Sequence, residues 1–457
     1  MKNDPDSEED EKLKEEIERL RKENEELREL IEKIAREKKK IEKEYEEYRM
    51  RHPETVGIKN GKPYVVKENV QSSSPKRPGA RKGHKPHYRK VPESIDGTVE
   101  VVVTHCPDCG GTNLSAEIQE TRTRVIEDIP ICNPVVTKYE IERRYCRDCK
   151  KLVESPIPTS LPRGRFGIRT MLLVAYMKLG LRMPVASVSQ HLKDTFGIKI
   201  SKGGICLILE QLARVFGPFY DQLVGEIRSA MARNMDETSW RIKGENAWLW
   251  IFITKYEAIY HITSSRGHDI PLELIGRDAK GTDIHDRFSA YSALAKKTKR
   301  PQQVCWSHIM CNAKELWKFH GDDGHRIYSI LRSTYKRALA FDHQGTDMDI
   351  KELFISMKAD LTRDPYRSHK CWKFVENLLK DKDSLFLFVK DPEVEPTNNR
   401  AERGLRHCVI ARKISGGSKS PKGARIYEVL LSVCQTLKLR GQNLVLDGPV
   451  ILQSSAG

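Results

Sequence analysis

Leu13, Leu20, Leu27, Ile34, Ile41 and Tyr48 recur at seven-residue intervals, with Ile17, Asn24, Ile31, Lys38 and Tyr45 as a second series between them. This is an a/d seam, with Leu mostly at d and Ile at a, the combination that favours two parallel strands. Asn24 at an a position suits register and dimer specification, and Lys38 weakens the seam where it falls. A helix this polar buries too little alone, so the pattern predicts a coiled-coil dimerisation arm over residues 8–50. A single solvated helix, or an arm folded onto its own body, is the competing reading. The periodicity then stops. Residues 51–92 read as a linker rich in Pro, Gly and Ser, with Ser72, Ser73, Ser74, Pro75, Pro78, Gly79, Gly83 and Pro86. Apolar alternation returns at Thr98 to Thr104 and Val135 to Arg144, which predicts strands in a small β-rich unit over 93–155.

Residues 160–230 carry helical spacing. Met171 to Leu181 is mostly apolar, and Pro184 to Thr195 forms a second helix with Pro near its first turn. Gly197 breaks that helix, and Ser201 is placed to cap a third that runs to about Phe216. Helix, short Gly-containing turn, helix is the helix-turn-helix outline, and an ordinary helical hairpin has the same outline. Lys193, Lys199 and Lys202 lean toward DNA.

From about 231 the texture changes again. Ala232 to Met235 leads into Asp236. Trp248 to Ile253 and Ala258 to Ile262 follow across short turns, which predicts an antiparallel meander. A helix near Ile270 to Ile275 precedes Gly281 to His285, a strand ending at Asp286. Three strands, a helix and a strand are the opening order of a ribonuclease-H-like fold. In that layout Asp236 and Asp286 meet despite 50 positions of separation. A third carboxylate is available at Glu402, in Pro396-Thr-Asn-Asn-Arg-Ala-Glu-Arg-Gly-Leu-Arg406. Asn398 or Asn399 can cap a helix there, which puts Glu402 on its first turn. Arg400, Arg403 and Arg406, spaced at three, share a helical face and can grip phosphate. A solvated basic face with Glu402 in a surface ion pair is the alternative.

Charge sharpens the choice of partner. The 457-residue chain has a formal charge of +16, but residues 1–50 hold 14 Lys/Arg and 19 Asp/Glu. The rest therefore carries +21, the total less that arm's −5. A basic body of this size suggests a polyanion, nucleic acid before membrane. Within the linker, Lys76, Arg77, Arg81, Lys82, Lys85, Arg89 and Lys90 form a basic run able to follow phosphates or enter a minor groove. The charged N-terminus reads as carrying no secretory signal. Runs such as Trp248 to Ile253 are too short to span a bilayer, so no membrane association is expected.

Two cysteine hooks supply further chemistry, Cys106-Pro-Asp-Cys109 and Cys146-Arg-Asp-Cys149. Two residues inside each hook let two thiolates reach one tetrahedral Zn²⁺, and the pair completes four ligands. A closed set of this kind is structural. Cys132 lies outside both hooks and reads as buried. At the acids, phosphodiester attack needs an activated oxygen and a stabilised leaving oxygen, which two Mg²⁺ (or Mn²⁺) ions provide together. Hard oxygen ligands suit Mg²⁺. Asp236, on the central strand, is assigned the bridging position, with Asp286 and Glu402 each holding one ion.

Taken in order, these residues resemble the insertion-sequence 66 family of DDE transposases over roughly 10 to 440. The resemblance rests on Gly83-His84-Lys85 and on Cys106-Pro-Asp-Cys-Gly-Gly111. It continues through Ile129-Pro130, Tyr145-Cys-Arg-Asp-Cys149, Met235-Asp-Glu-Thr238 and Asp286-Arg-Phe-Ser-Ala-Tyr291. Cys305-Trp-Ser-His308, Asn398 to Arg406, Arg412-Lys413 and Gly416-Gly417 complete it. Where the family carries basic residues after Cys-Trp-x-His, this chain has Met310 and Cys311. His308 is open to two roles, one near the metals and one structural beside Trp306.

The resemblance implies an α/β multidomain chain. Its ribonuclease-H-like catalytic core spans 231–440, with Asp236, Asp286 and Glu402 as the acids and a helical insertion at about 310–392. A tail of 441–457 follows. The implied activity is metal-dependent DNA cleavage and strand transfer on double-stranded DNA, transposon ends and target. A homodimer or higher oligomer, possible element-encoded helper proteins and a cytoplasmic, nucleoid-associated prokaryotic setting go with it. A DNA-binding regulator derived from such an enzyme, and a ribonuclease-H-like nuclease or resolvase, are the alternatives.

Overall fold

In the computed structural model, the described residues are most of 17–36, the strands at 56–59 and 62–65, and 92–454 except 130, 131, 158 and 163. The chain divides into two units, Met1–Glu127 and Asp128–Gly457. The division falls inside the span expected to form one zinc-binding unit.

In the first unit, residues 17–26 are helical. Of the heptad positions described there, Ile17, Leu20 and Ile31 are exposed. Leu13, Leu27, Ile34, Lys38, Ile41, Tyr45 and Tyr48 lie outside the described residues, as do Lys76, Arg77, Arg81, Lys82, Lys85, Arg89 and Lys90. The expected linker is not uniformly irregular. Strands β1 (Val56–Lys59) and β2 (Lys62–Val65) pair antiparallel. The Asn60-Gly61 dipeptide between them is a strong two-residue hairpin signal. Thr98 to Thr104, expected as a strand, forms no ladder, and Val99, Val101, Val102 and Val103 are exposed.

In the second unit, Val135 to Glu142 also runs without a ladder. Strand propensity reflects side-chain packing on a pleated surface more than a backbone preference, and among the described residues neither segment is paired to such a surface. Among the described residues of 128–155, ladder pairing is found at β3 (Arg143–Cys146) and β4 (Lys151–Glu154) around the second cysteine hook. Cys132, expected to be buried, is exposed.

A helical layer follows: α1 (Ile168–Ala175), continued by a π-helical turn at Tyr176–Gly180, α2 (Val185–Phe196), α3 (Lys202–Val215) and α4 (Gly217–Ser229). Gly197 ends α2 with a left-handed φ of 68°. The Ser201 hydroxyl accepts from the Gly204 N–H at the start of α3. This layer is not a free-standing domain, because its apolar side chains belong to the same core as the sheet that follows.

That sheet is built from β5 (Ala232–Ile242), β6 (Glu245–Ile253), β7 (Ala258–Thr263), β8 (Thr282–His285) and β9 (Gln302–Val304). Its spatial order is β7-β6-β5-β8-β9. The first three strands form an antiparallel meander, while β8 and β9 run parallel to β5. Helix α5 (Asp269–Ile275) links β7 to β8, and α6 (Ser289–Thr298) links β8 to β9. A kinked α7 (Trp306–Leu339), α8 (Asp347–Thr362) and α9 (His369–Leu379) then build a second core against β8 and β9. The chain returns to the sheet as α10 (Asn399–Ser415) and α11 (Pro421–Leu439). The expected tail is instead packed: α12 (Gly448–Ser454) follows, and Leu444 and Leu452 are buried in the first core. Among the described residues no helix is long and apolar enough to cross a membrane.

Helix α11 closes the open edge of β7. The N–H groups of Ala258, Tyr260 and Ile262 donate to Thr436 Oγ1 (3.0 Å), Ser432 Oγ (2.9 Å) and Glu428 Oε1 (2.5 Å). Two strand residues advance about 6.6 Å and four helical residues about 6 Å, so a polar stripe at every fourth position matches the edge. An unpaired edge would otherwise invite another chain.

Candidate active site

Strand β5 carries Asp236. Its parallel pairing with β8 sets Ala232 against Thr282, Arg233 against Asp283 and Asn234 against Ile284. Continuing that register by two residues sets Asp236 against Asp286, on the same face because side chains alternate with period two. The register is anchored by a buried cluster. Asp283 accepts from Arg233 Nε at 2.6 Å and from Arg300 Nε at 2.9 Å, and all three side chains are shut off from solvent. The Arg233 and Arg300 guanidinium groups also reach the carbonyls of Ile227 and Gly276. Breaking one member would strand a buried charge, a loss of several kcal/mol (about 3–5) in comparable cases.

Glu402 stands in the first turn of α10. The expected asparagine cap is absent, because Asn398, at the N-cap position, makes no side-chain cap bond. Its side chain is fully buried and turned into the sheet. Nδ2 donates to Met235 O at 2.8 Å, and Oδ1 accepts from Asn234 Nδ2 at 3.2 Å. The other end of α10 is tied to the same strand. Arg412 donates to the Ser239 hydroxyl and carbonyl. Gly416 and Gly417 then turn the chain so that Ser418 N donates to Arg241 O at 2.8 Å. Gly417 has φ 110°, and a Cβ there would sit 2.4 Å from Arg241 O. Midway, a Cβ on Gly404 would meet Ile251 Cδ1 at 2.3 Å. The helix is thus clamped at both ends and pressed close at its centre, which holds Glu402 over β5.

The electrostatics record this convergence. Burial pushes the Asp236 carboxyl up to about 7, opposed by the Glu237 N–H and reinforced by the negative charges of Glu237, Asp286 and Glu402. Asp236 Oδ1 accepts from Glu237 N, and Asp286 Oδ1 from Phe288 N, each at 2.9 Å. Glu237 itself is occupied elsewhere, by Arg266 at 2.7 Å and by the Tyr291 hydroxyl at 2.7 Å. Arg266 in turn lies over the Trp248 and Phe288 rings.

Strand β9 was too short to show a period in the sequence, yet it delivers Cys305 and the first turn of α7 to the acids. Trp306 goes into the second core, stacked on Tyr335, with Nε1 donating to Leu385 O at 2.6 Å. His308 faces the other way, with Nδ1 3.6 Å from Glu402 Oε1. Contact with the Cys305 side chain, then the charges of Glu402 and Asp286, outweighs burial and raises His308 to about 9. Of its two expected roles, the placement near the acids is the one observed.

The three arginines of α10 do not act alike. Arg400 is committed to Glu395 (2.7 Å) and to Thr254 O (3.3 Å), whereas Arg403 and Arg406 are exposed. A cavity of about 700 Å³ runs past Arg400, Glu393 and Asn234, and none of the three acids lines it.

Each cysteine hook is a tight knuckle in its own unit. Cys106 N donates to Gly111 O and Gly110 N to Cys106 O, both at 2.8 Å. The backbone N–H groups of Cys109 and Asp108, with the Cys109 side chain, hold the Cys106 thiol below its ordinary value. At Cys146 the same is done by the Cys149 backbone and side chain and the Asp148 N–H. Amides aimed at sulfur favour thiolate, the form that binds metal.

Comparison with known proteins bears on the same regions. Residues 163–426 match the family described as "Transposase IS66 family". Residues 104–150, which span both hooks, match "zinc-finger binding domain of transposase IS66". Two relatives from Sinorhizobium fredii are similar over most of their length. "Uncharacterized protein y4hP" is 24% identical over 399 residues, 78% of this chain and 71% of the relative. "Uncharacterized protein y4qI" is 23% identical over 415 residues, covering 80% and 73%.

Proposed function

The chain belongs to the IS66 family of transposases, and from that premise we propose that it cuts DNA at the ends of an insertion sequence and joins them to a target in a metal-dependent reaction. What supports the proposal is the parallel register of β5 on β8, whose continuation by two residues sets Asp236 against Asp286, together with a Glu402 helix clamped along β5. The sheet order, with a meander followed by two parallel strands, supports a ribonuclease-H-like core.

Two Mg²⁺ or Mn²⁺ ions suit this donor set. The acids offer hard oxygen atoms, and a bound cation offsets both the burial that chiefly raises Asp236 and the smaller repulsion from Glu237, Asp286 and Glu402. Asp236, Asp286 and Glu402 would hold the ions, with Asp236 serving both. Bound ions of this type supply an activated oxygen nucleophile and stabilise the leaving oxygen. The protein's own part is to hold three carboxylates on one clamped frame and to offer Arg403 and Arg406 to backbone phosphates. Exposed Lys193, Lys199 and Lys202 on the α2–α3 hairpin, and the linker residues Lys76, Arg77, Arg81 and Lys82, are assigned to DNA contact. Cys106, Cys109, Cys146 and Cys149 are assigned to one structural Zn²⁺, and the 8–50 arm to pairing two chains.

The test is labelled DNA carrying the element's own ends, incubated with Mg²⁺ or Mn²⁺. Asp236→Asn should lower cleavage by at least about 10³-fold, as expected when charge stabilisation in the transition state is lost. End binding should survive, and melting should occur at or above the wild-type temperature, because a repelled buried charge is removed. Cleavage that persists in Asp236→Asn would refute the assignment.

A further inference from the structure

Beside the acids lies a second donor set that shares Glu402 with them and adds two side chains that the three-carboxylate reading does not use. One ligand atom each from Cys305, His308 and Glu402 fall within 4.8 Å of one another. The set joins two helix starts. Cys305 is the N-cap of α7 and His308 stands one turn on, while Glu402 comes from the first turn of α10. Two hydrogen bonds tie these segments together. Asn398 N donates to Cys305 Sγ at 3.1 Å, and Trp306 N donates to Pro396 O at 3.0 Å. Cys305 is fully buried. His308 Nδ1 is shut off from solvent without a well-formed hydrogen bond among the described residues.

We propose that Cys305, His308 and Glu402 form a binding site for one borderline-soft divalent cation of the Zn²⁺ type, with a fourth position left to water. One sulfur, one imidazole nitrogen and one carboxylate oxygen are the ligands Zn²⁺ takes, and three protein ligands with an open position are its usual non-structural arrangement. Thiolate disfavours Mg²⁺, which prefers oxygen. Bond lengths of about 2.0–2.3 Å set tetrahedral ligand atoms roughly 3.5 Å apart, so the donors need to close by about an ångström. The functional consequence rests on the catalytic reading above. Glu402 belongs to both sets, so a Zn²⁺ ion seated here withholds it from the Mg²⁺ pair. The chain then carries an inhibitory metal site built into its catalytic face.

The test uses full-length protein with its zinc in place, titrated with Co²⁺ and read by absorption and elemental analysis. One further equivalent of Co²⁺ that carries a sulfur-to-cobalt charge-transfer band is expected, apart from any Co²⁺ that the acids bind through oxygen alone. That equivalent should be lost in Cys305→Ser and retained in Cys311→Ser, an exposed thiol on the same helix. His308→Gln and Glu402→Gln should weaken it by at least the 10–100-fold that loss of a mere supporting partner costs. No further equivalent, or a band that persists in Cys305→Ser, would overturn the site. Should Cys305→Ser fail to fold, His308→Gln decides the matter alone, since unchanged Co²⁺ affinity there has the same force. Zn²⁺ inhibition of Mg²⁺-dependent cleavage should be relieved in His308→Gln. Failure of the catalytic reading would show separately, as cleavage by Asp236→Asn with Co²⁺ binding intact.

Discussion

Asn398 is where the position of Glu402 is most open to attack. Its amide is fully buried and makes two bonds, donating to Met235 O at 2.8 Å and accepting from Asn234 Nδ2 at 3.2 Å. Asn398→Ala deletes both. Each neutral hydrogen bond contributes a net 1 kcal/mol or so, and a partner left buried and unpaired costs about 1–3 kcal/mol. Asn234 Nδ2 retains a long contact to Thr397 O (3.4 Å), which offsets part of the loss. The expected destabilisation is about 2–4 kcal/mol, measured by denaturant unfolding followed through tryptophan fluorescence. Asn398→Asp separates bonding from bulk. A carboxylate still accepts from Asn234 but no longer donates to Met235 O, and it brings a buried charge. It should be at least as damaging as alanine despite its near-identical shape. Both variants free the first turn of α10, so cleavage should fall about 10²-fold, the scale of an ångström of misplacement at a reacting centre. The measurement is metal-dependent cleavage under conditions where each variant remains folded. Wild-type stability and cleavage in Asn398→Asp would refute the claim that this amide positions Glu402.

Three further outcomes are expected. Cys106→Ser should release zinc and loosen the knuckle, checked by elemental analysis and limited proteolysis, and a wild-type preparation free of zinc would contradict the assignment. Deleting residues 1–50 should shift the protein toward monomer on sizing with light scattering, and an unchanged oligomer would reject the pairing role of the arm. Burial holds His407 down at about 4, with its Nδ1 facing Arg182 at 2.9 Å and its Nε2 donating to Leu179 O at 2.6 Å. A proton therefore binds the unfolded chain more tightly, so stability present above the unfolded value of about 6.5 is lost as pH falls toward 4. Between pH 7.5 and 5 the loss should be about 1–2 kcal/mol for this part-buried ring, and His407→Gln should flatten that slope; an equal slope in both proteins would show that other groups carry it.

Helix spans and caps in residues 160–230 were legible because the signals are local. Ser201 accepts an N–H two or three residues on, and Gly197 takes the left-handed turn, whatever surrounds them. The meander was legible for the same reason, since short turns leave adjacent strands little choice of partner. Strands in the linker and the zinc-binding span were less legible. Valines at 99, 101 and 135 have strand character, but a strand exists only where another backbone is available to pair. Conversely, four residues on each side of Asn60-Gly61 were enough for a hairpin.

Residue types and local spacing determined the chemistry on offer: two hooks of thiols, three separated acids and an Asn-rich helix start. Tertiary structure decided which of these meet and how. The pairing of β5 with β8 is a non-local register, anchored by Arg233, Asp283 and Arg300, whose charges say nothing in sequence about being buried together. Asn398 looked like a cap and became a tie to Met235, because the free energy of a buried amide depends on what the sheet offers it rather than on its own helix. His308 and Cys305 reached Glu402 through a three-residue strand too short to have a period. Local preference acts over a few residues at about 1 kcal/mol or less each, whereas desolvated hydrogen bonds and charges between distant segments act at several times that, and those interactions set the geometry of the site.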